Sequence, residues 1–485
     1  MQGLQAYPIR RRLLKTNDFI YLSATEISRL IASRRLSPVE LTDAYLRRIE
    51  ELEPRLNAFI TVLGDQALGA AKKAESQLAR GRYLGTMHGI PVAIKDQLWT
   101  KGVLTTSGSK FLKDFVPRED ATVVSRLKKA GAIIIGKTNL NEFALSGGYN
   151  FPWGIPRNPW ELTRLAGGSS YGSASATVTY MCATSIGEDT LGSIRSPSSM
   201  CSLVGLRPTW GLVSRHGLIG SSWSQDVAGP MSRTVEDCAM TLQSIAGYDP
   251  KDPYTWDASV PDYSASLKDG VKGLRVGLVT EQVYNDRLNK DTQKGVLDAA
   301  AVFRSLGASV GEVSIPFIKH TGAIATAITE ADGAAVHYQR LRQQPRVFDP
   351  KMRLYLLAAS LVPAKTYYKA VRLREMWRRE FLEVMKRFDV LIGPTTATPA
   401  PLVASSLSLG SKAANRAEMA YGRILRSPVN LAGAAAVSVP CGFTSNGLPF
   451  GLQIIGKPFD EAMILRIAYA YEQATDWHRR RPPIA

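Results

Sequence analysis

The chain has 485 residues, 45% of them apolar and 21% charged, the proportions of a folded globular protein with a large core, which excludes a disordered or fibrous class. Lysine and arginine outnumber aspartate and glutamate by 60 to 42, a formal charge of +18, which bears on solubility and association rather than on fold. The basic residues are scattered, apart from short runs at 10–12 and 479–481, with no zinc-finger spacing or RNA-binding aromatic pair, so no specific nucleic-acid partner is expected.

Along the chain, Ser23 precedes Ala-Thr-Glu, a capping box to Glu26, and Ile27, Leu30 and Ile31 continue a helical period. A second box, Ser37-Pro-Val-Glu40, starts a helix through Leu41, Tyr45, Leu46 and Ile49, with Pro38 at its first position. A third helix is expected over 64–80, which makes 1–80 an amino-terminal helical region packed on a catalytic body of residues 81–485. Val92-Ala-Ile94 is a short buried strand that runs into Lys95-Asp96. Residues 120–131 form a helix closed by Gly131, and Ala132-Ile-Ile-Ile is the next strand. Helices alternating with short β-branched strands predict an α/β fold, a large mixed sheet covered by helices on both faces.

Residues 140–175, rich in Gly, Ser, Asn, Pro and Trp, read largely as loop, and 174–185 are small and apolar enough for a tightly packed helix or strand. Ser232-Arg-Thr-Val-Glu-Asp starts an amphipathic helix, and 250–275 read as a surface excursion. The α/β rhythm resumes with a strand at 274–279, a helix at 292–306 and a strand at 309–313. A basic helix over 363–388 and a strand from Leu391 follow. No repeat, low-complexity tract or long linker interrupts the chain, so one compact domain is expected. Cys182, Cys201, Cys238 and Cys441 are widely spaced and read as buried thiols of a reducing compartment. With no apolar run of membrane length and no signal-peptide core, the expected location is the cytoplasm and no membrane partner is expected.

Hydrolysis of an acyl compound needs a nucleophile, an acceptor for its proton, and donors aimed at the oxygen that becomes negative. In Gly-Glu-Asp-Thr-Leu-Gly-Ser-Ile-Arg-Ser-Pro, residues 187–197, small neighbours leave Ser193 and the surrounding amides open to a substrate. The five histidines, His88, His216, His320, His337 and His478, form no metal motif, and a serine triad would have to recruit His88 or His216. The string Gly168-Ser-Ser-Tyr-Gly172 would centre on Ser170, but it follows a loop rather than a strand. Lys95, at the end of a buried strand, is the remaining base, because desolvation lowers an ammonium pKa. On these residues alone, an ordinary turn serine and a structural strand-end lysine stay open as readings.

Gly89-Ile-Pro-Val-Ala-Ile-Lys-Asp, Gly167-Gly-Ser-Ser-Tyr-Gly-Ser and Asp189-Thr-Leu-Gly-Ser-Ile-Arg-Ser-Pro are similar to the three core motifs of the amidase signature family. The likeness extends to the stretch from Ala130 to Phe143, to Val204-Gly-Leu-Arg-Pro-Thr-Trp-Gly, and to late segments beginning at Arg426, Val437 and Gly447. This resemblance implies the amidase-signature fold, with Ser193 as nucleophile, Ser169 as bridging serine and Lys95 as base. It further implies a cis peptide at Gly168–Ser169, a supporting role for Ser170, and an oxyanion site made by the amides of Thr190, Leu191, Gly192 and Ser193. Asp189 and Arg195 would brace the nucleophile turn, while Thr106, Ser107 and Asn139 either fasten neighbouring loops or are plain turn residues. No metal or other cofactor is implied.

Three positions depart from the family's pattern. Tyr171 and Leu191 stand where glycine is common, and Gln97 replaces a more usual asparagine. Tyr171 lines the pocket or covers the loop; at Leu191 a left-handed backbone would be costly and the side chain would narrow the site. Tyr149, Phe151 and Trp153 join Tyr171 and Leu191 as candidate substrate contacts. The expected activity is an amidohydrolase that cleaves aryl or hydrophobic amides through an acyl-enzyme, with esters and carbamates (urethanes) as further substrates. Its partners would be a small amide and water, in a monomer or a homodimer. The alternative is the glutamine-hydrolysing subunit of a transfer-RNA-dependent amidotransferase, whose late segments resemble Pro440-Cys-Gly and Ser445-Asn-Gly, although clear matches to a glutamine pocket are missing from the middle of the chain. Retention of Lys95, Ser169 and Ser193 together weakens a third reading, a catalytically silent binding protein.

Overall fold

A computed structural model describes residues 18–145, 151–403 and 416–485. Its strands are β1 (Phe59–Val62), β2 (Pro91–Lys95), β3 (Ile133–Thr138), β4 (Arg157–Asn158) and β5 (Glu161–Leu165). They continue with β6 (Thr184–Asp189), β7 (Val204–Arg207), β8 (Val227–Ser232), β9 (Arg275–Val279) and β10 (Ser309–Val313). Last come β11 (Val390–Pro394), β12 (Ala436–Phe443) and β13 (Pro449–Ile455). Eleven of them make one mixed sheet in the order β1-β3-β2-β6-β8-β7-β12-β13-β11-β9-β10, and β4 and β5 form a separate ribbon. The runs β3-β2-β6 and β11-β9-β10 are parallel and the remaining pairs antiparallel. Every residue of β2, β3 and β6 is buried, as expected for parallel strands covered on both faces.

The first amino-terminal box forms as the sequence predicts, and the second forms only as an N-cap, without the return bond from Glu40. Ser23 and Glu26 close a capping box ahead of helix Ala24–Ala32, and the Ser37 hydroxyl accepts from the amides of Val39 and Glu40 at the start of helix Pro38–Leu56. Helix Gly64–Ala79 is the third. The region 1–80 is not purely helical, however, because β1 lies within it and pairs antiparallel with β3 at the sheet edge. One continuous apolar cluster runs from Phe19 to Tyr471 through these helices and the sheet.

The segment read as loop over 140–175 contains β4, β5 and the start of helix Tyr171–Val178. Composition hides this helix: all eight of its residues are buried, and a Cβ on Gly172 would lie 2.0 Å from the Ala58 carbonyl oxygen. Small residues are there because backbone packs on backbone, not because the chain turns. Helices Ile318–Gln343 and Pro350–Ala359 precede the expected basic helix, Ala364–Arg387. Among the described residues no helix is long and apolar enough to cross a membrane.

Candidate active site

β2 and β6 run side by side and parallel, with Ala93 opposite Ser185 and Ile94 opposite Ile186. Their carboxyl ends therefore deliver Lys95 and the pair Glu188-Asp189 to the same edge. Lys95 is fully buried. Its Nζ donates to Ser169 Oγ at 2.7 Å, to Glu188 Oε2 at 2.9 Å and to the Glu188 carbonyl at 3.4 Å. Burial pushes the Lys95 pKa down, and the Glu188 carboxylate opposes that shift.

Ser169 sits in the loop ahead of helix Tyr171–Val178, after a cis Gly168–Ser169 peptide. Ser170 ties this loop in two directions. Its hydroxyl donates to the Glu188 carbonyl at 3.2 Å and accepts from the Glu188 amide at 3.3 Å, and its own amide donates to the Ser193 carbonyl at 3.3 Å. The structure thus brings Lys95, at the end of β2, beside the adjoining loops of Ser169 and the half-buried Ser193, with Lys95 and Ser169 in direct contact.

The turn carrying Ser193 is built around Asp189. Its carboxylate accepts from Arg195 Nε at 3.0 Å and Nη2 at 3.1 Å, from Arg207 Nη1 at 3.2 Å, from Asn430 Nδ2 at 3.0 Å, and from the amides of Gly192 at 2.8 Å and Ile194 at 3.3 Å. Burial alone would raise the Asp189 pKa, but the guanidiniums of Arg195 and Arg207 hold it well below the usual carboxylate range. Arg195 also reaches Gln453 Oε1 at 2.6 Å and Asn430 Oδ1 at 2.7 Å. The turn is consequently gripped by β7, by helix Arg416–Ala432 and by β13.

Two expectations change here. The Gly192 amide is already donated to Asp189, so any oxyanion role for it has to be shared with that carboxylate. The left-handed backbone falls on Gly192, at φ +108, and Leu191 is not among the residues of positive φ. A Cβ on Gly192 would meet Arg426 Cδ at 2.2 Å. Leu191 instead turns a half-buried side chain onto the cluster containing Ile324, Ile328 and Val429.

Among the candidate substrate contacts, Tyr171 is buried, with its phenol against Gly168, and meets Phe151 edge-on at 5.4 Å between ring centroids. That geometry covers the Gly168–Ser169 loop. Trp153 is half-buried, and Tyr149 lies outside the described residues. Thr106 donates its amide at 2.7 Å and its hydroxyl at 2.6 Å to Asp96, Ser107 donates its amide to the Asp96 carbonyl at 3.0 Å, and Asn139 bridges the carbonyls of Asn57 and Gly154 at 3.0 and 2.9 Å. These three fasten loops. Gln97 Nε2 donates to the Ile219 carbonyl at 2.9 Å. His88 contacts the Ala74 carbonyl at 3.0 Å and His216 lies 3.5 Å from Glu119, so both histidines have partners away from the Lys95–Ser169 pair. Among the described residues no group of three or more His, Cys, Asp or Glu could hold a metal ion.

Sequence reasoning missed Glu188, Asp226, Arg207, Asn430 and Gln453. A signal existed for the first: Glu188 and Asp189 are adjacent acids at the end of a fully buried strand, and buried charges require partners.

Residues 40–465 match the family model described as Amidase. A relative of the chain, one of the subunits of the glutamyl-tRNA(Gln) amidotransferase of Gloeobacter violaceus, is 41% identical over 94% of this chain and 97% of its own. A solved chain, from a vestigial protein complex bearing on the origins of an s-triazine catabolic enzyme, superposes with a TM-score of 0.86 at 31% identity, over 95% of this chain and all of that one. A bacterial aryl acylamidase of the amidase signature group superposes at 0.85 with 26% identity, over 95% and 97% of the two chains. Because the family match takes in all three loops that meet at this sheet edge, and relatives align almost end to end, the chain belongs to the amidase family, whose members hydrolyse amides through a serine.

Proposed function

We propose that this amidase acts on the side-chain amide of glutamine, releasing ammonia as the hydrolytic subunit of a transfer-RNA-dependent amidotransferase. The 41% identity to one of the chains of such an enzyme, over 94% of this chain and 97% of the relative, carries the reading. In the mechanism, Ser193 attacks the carbonyl while its proton passes to Ser169, whose own proton passes to the neutral amine of Lys95. Amides of Thr190, Leu191 and Ser193, with Gly192 sharing, stabilise the oxyanion. The proton returns through Ser169 to the leaving nitrogen, and water then cleaves the acyl-enzyme by the same relay.

One observation favours a second reading, a hydrolase that works alone on aryl or hydrophobic amides, esters or carbamates. Phe151 and Tyr171 pack beside the bridging loop, and Leu191, two residues before Ser193 in the chain, is apolar. Both readings meet in one experiment, in which the purified chain is offered glutamine, aryl amides, an aryl ester and a urethane, with Ser193→Ala as control. Ammonia released from glutamine by the wild type and not by the variant is the expected outcome. Glutamine left intact while an aryl amide or urethane is cleaved in a Ser193-dependent way would transfer the assignment to the second reading.

A further inference from the structure

Lys95 cannot serve as a base while it carries its proton. Its three contacts, Ser169 Oγ, Glu188 Oε2 and the Glu188 carbonyl, are those of an ammonium that uses all three of its donors. Both side chains of the Lys95–Glu188 pair are fully buried, so bulk water is not at hand to remove the proton.

Behind Glu188 lies a second carboxyl. The Thr190 hydroxyl is 2.5 Å from Glu188 Oε1 and 2.7 Å from Asp226 Oδ1. A hydroxyl has one proton to give, so two such contacts to acids require one carboxyl to supply the other. Asp226 Oδ2 is taken up by the amides of Ser221 at 2.7 Å and Ser222 at 2.9 Å, while Oδ1 faces Thr190 and shares the Ser222 amide at 3.0 Å. Asp226, Thr190, Glu188 and Lys95 therefore form one continuous line of proton-bearing contacts.

We propose that Glu188 is the proton store for Lys95, backed through Thr190 by a protonated Asp226; the proposal rests on the Ser193–Ser169–Lys95 reading given above. The Lys95 Nζ–H bond breaks and the proton moves to Glu188 Oε2. A buried ion pair thereby becomes a neutral amine and a neutral acid, with no net change of charge. The neutral amine then turns about its Cε–Nζ bond so that the lone pair left facing Glu188 faces Ser169 Oγ, accepts the Ser169 proton as Ser193 attacks, and as an ammonium returns that proton through Ser169 to the leaving group. Glu188 acts through Lys95, so it is a positioning residue. Burial, followed by the neighbouring Glu188 carboxylate, pushes the Asp226 pKa up to about 7, in keeping with its place at the protonated end of the line. The other charged groups facing the pair are Asp189, held by Arg195 and Arg207, and Arg207 itself.

The test is the pH dependence of Ser193 acylation by p-nitrophenyl butyrate, read as the nitrophenolate burst, in the wild type, Glu188→Gln and Ser193→Ala. In the wild type the pair keeps a neutral amine available without releasing a proton to solvent. In Glu188→Gln no carboxylate beside Lys95 can hold its proton, which must leave the site altogether, so the acid limb is expected to rise by about one pH unit or more, with activity regained on the alkaline side. If Glu188 served only as a negative charge that holds Lys95 protonated, the same substitution would move the limb to lower pH. A downward or absent shift, with Ser193→Ala silent, overturns the proton store and leaves the triad standing; a burst that survives Ser193→Ala overturns the triad reading itself. Infrared difference spectra, wild type minus Asp226→Asn, give a second readout, because Glu53, Glu142 and Glu472 also carry raised pKa values and their bands cancel in the difference. A protonated-carboxyl stretch near neutral pH that Asp226→Asn loses is expected, and a spectrum in which the two proteins have the same acid band would also overturn the proposal.

Discussion

At the scale of single residues, the turn that presents Ser193 depends on where its left-handed backbone falls. Gly192 takes φ +108, and a Cβ there would lie 2.2 Å from Arg426 Cδ and 2.5 Å from Arg426 Nε. Gly192→Ala thus meets two obstacles, a backbone region that L-residues avoid and a guanidinium that must shift. The variant is expected to lose about 1–3 kcal/mol in urea unfolding and to slow the nitrophenolate burst by at least about tenfold. Equal stability and equal burst in the two proteins would show that the turn tolerates a side chain. Ser193, Ser169 and Lys95 could be proposed from the sequence because each lies in a contiguous motif. Glu188 was not, although it adjoins the nucleophile motif, because its role is fixed by the residue across the β2–β6 pairing, and strand register is a property of the fold rather than of any local stretch.

At the scale of elements, β3 supports the carboxyl end of β2 through a second buried ion pair. Lys137, on β3, lies 3.0 Å from Asp96 and donates to the Leu98 carbonyl at 2.9 Å and Thr105 Oγ1 at 2.8 Å. One ammonium thus pins the chain leaving β2 just past Lys95. Lys137→Met keeps the stem but leaves the Asp96 charge buried without its partner, which costs roughly 3–5 kcal/mol. Guanidinium unfolding of the single variant should show that loss, and the double variant Lys137→Met/Asp96→Asn should recover part of it because no orphan charge remains; equal losses in both would refute the ion-pair account. The strand Val92–Ile94 and the two amino-terminal caps could be read from apolar runs and capping boxes, which are local signals. The first turn of helix Tyr171–Val178 could not, because Gly172 and Ser173 mimic a loop, whereas Ala174–Val178 lie in the stretch expected to be a packed helix or strand. Helix Ile318–Gln343 escaped for a related reason: its buried face mixes Thr321, Gly322, Ala325, Thr329 and Asp332 with Ile324 and Ile328, which dilutes the helical period.

At the scale of the whole molecule, the late helix Glu461–Gln473 is tied to helix Val235–Ile245 by a carboxyl that burial keeps from ionising. Glu472 Oε1 accepts the Val235 amide at 2.9 Å. Burial, with smaller contributions from Asp237 and Glu236, pushes its pKa from 4.5 up to about 8, while the Val235 hydrogen bond works the other way. A carboxyl whose folded pKa is raised binds more protons folded than unfolded, so its contribution is complete below the unfolded value and is lost as pH rises toward 8. Glu53 and Glu142, raised to about 7 chiefly by burial, act with the same sign. His337, lowered to about 3 by burial, acts with the opposite sign, but only below its ordinary value of 6.5. The lowered pKa values of Lys95 and Lys137 oppose the carboxyls on the alkaline side, so the wild-type curve alone does not isolate Glu472. Glu472→Gln does, because the amide oxygen still accepts from Val235 and carries no charge at any pH. Unfolding free energies of the two proteins should nearly coincide at pH 5 and diverge as pH rises, with the glutamine variant ahead by on the order of 2–4 kcal/mol above pH 8. Parallel curves across that window would mean that Glu472 ionises in the folded chain as readily as in the unfolded one, and that the contact between these helices does not depend on a neutral acid.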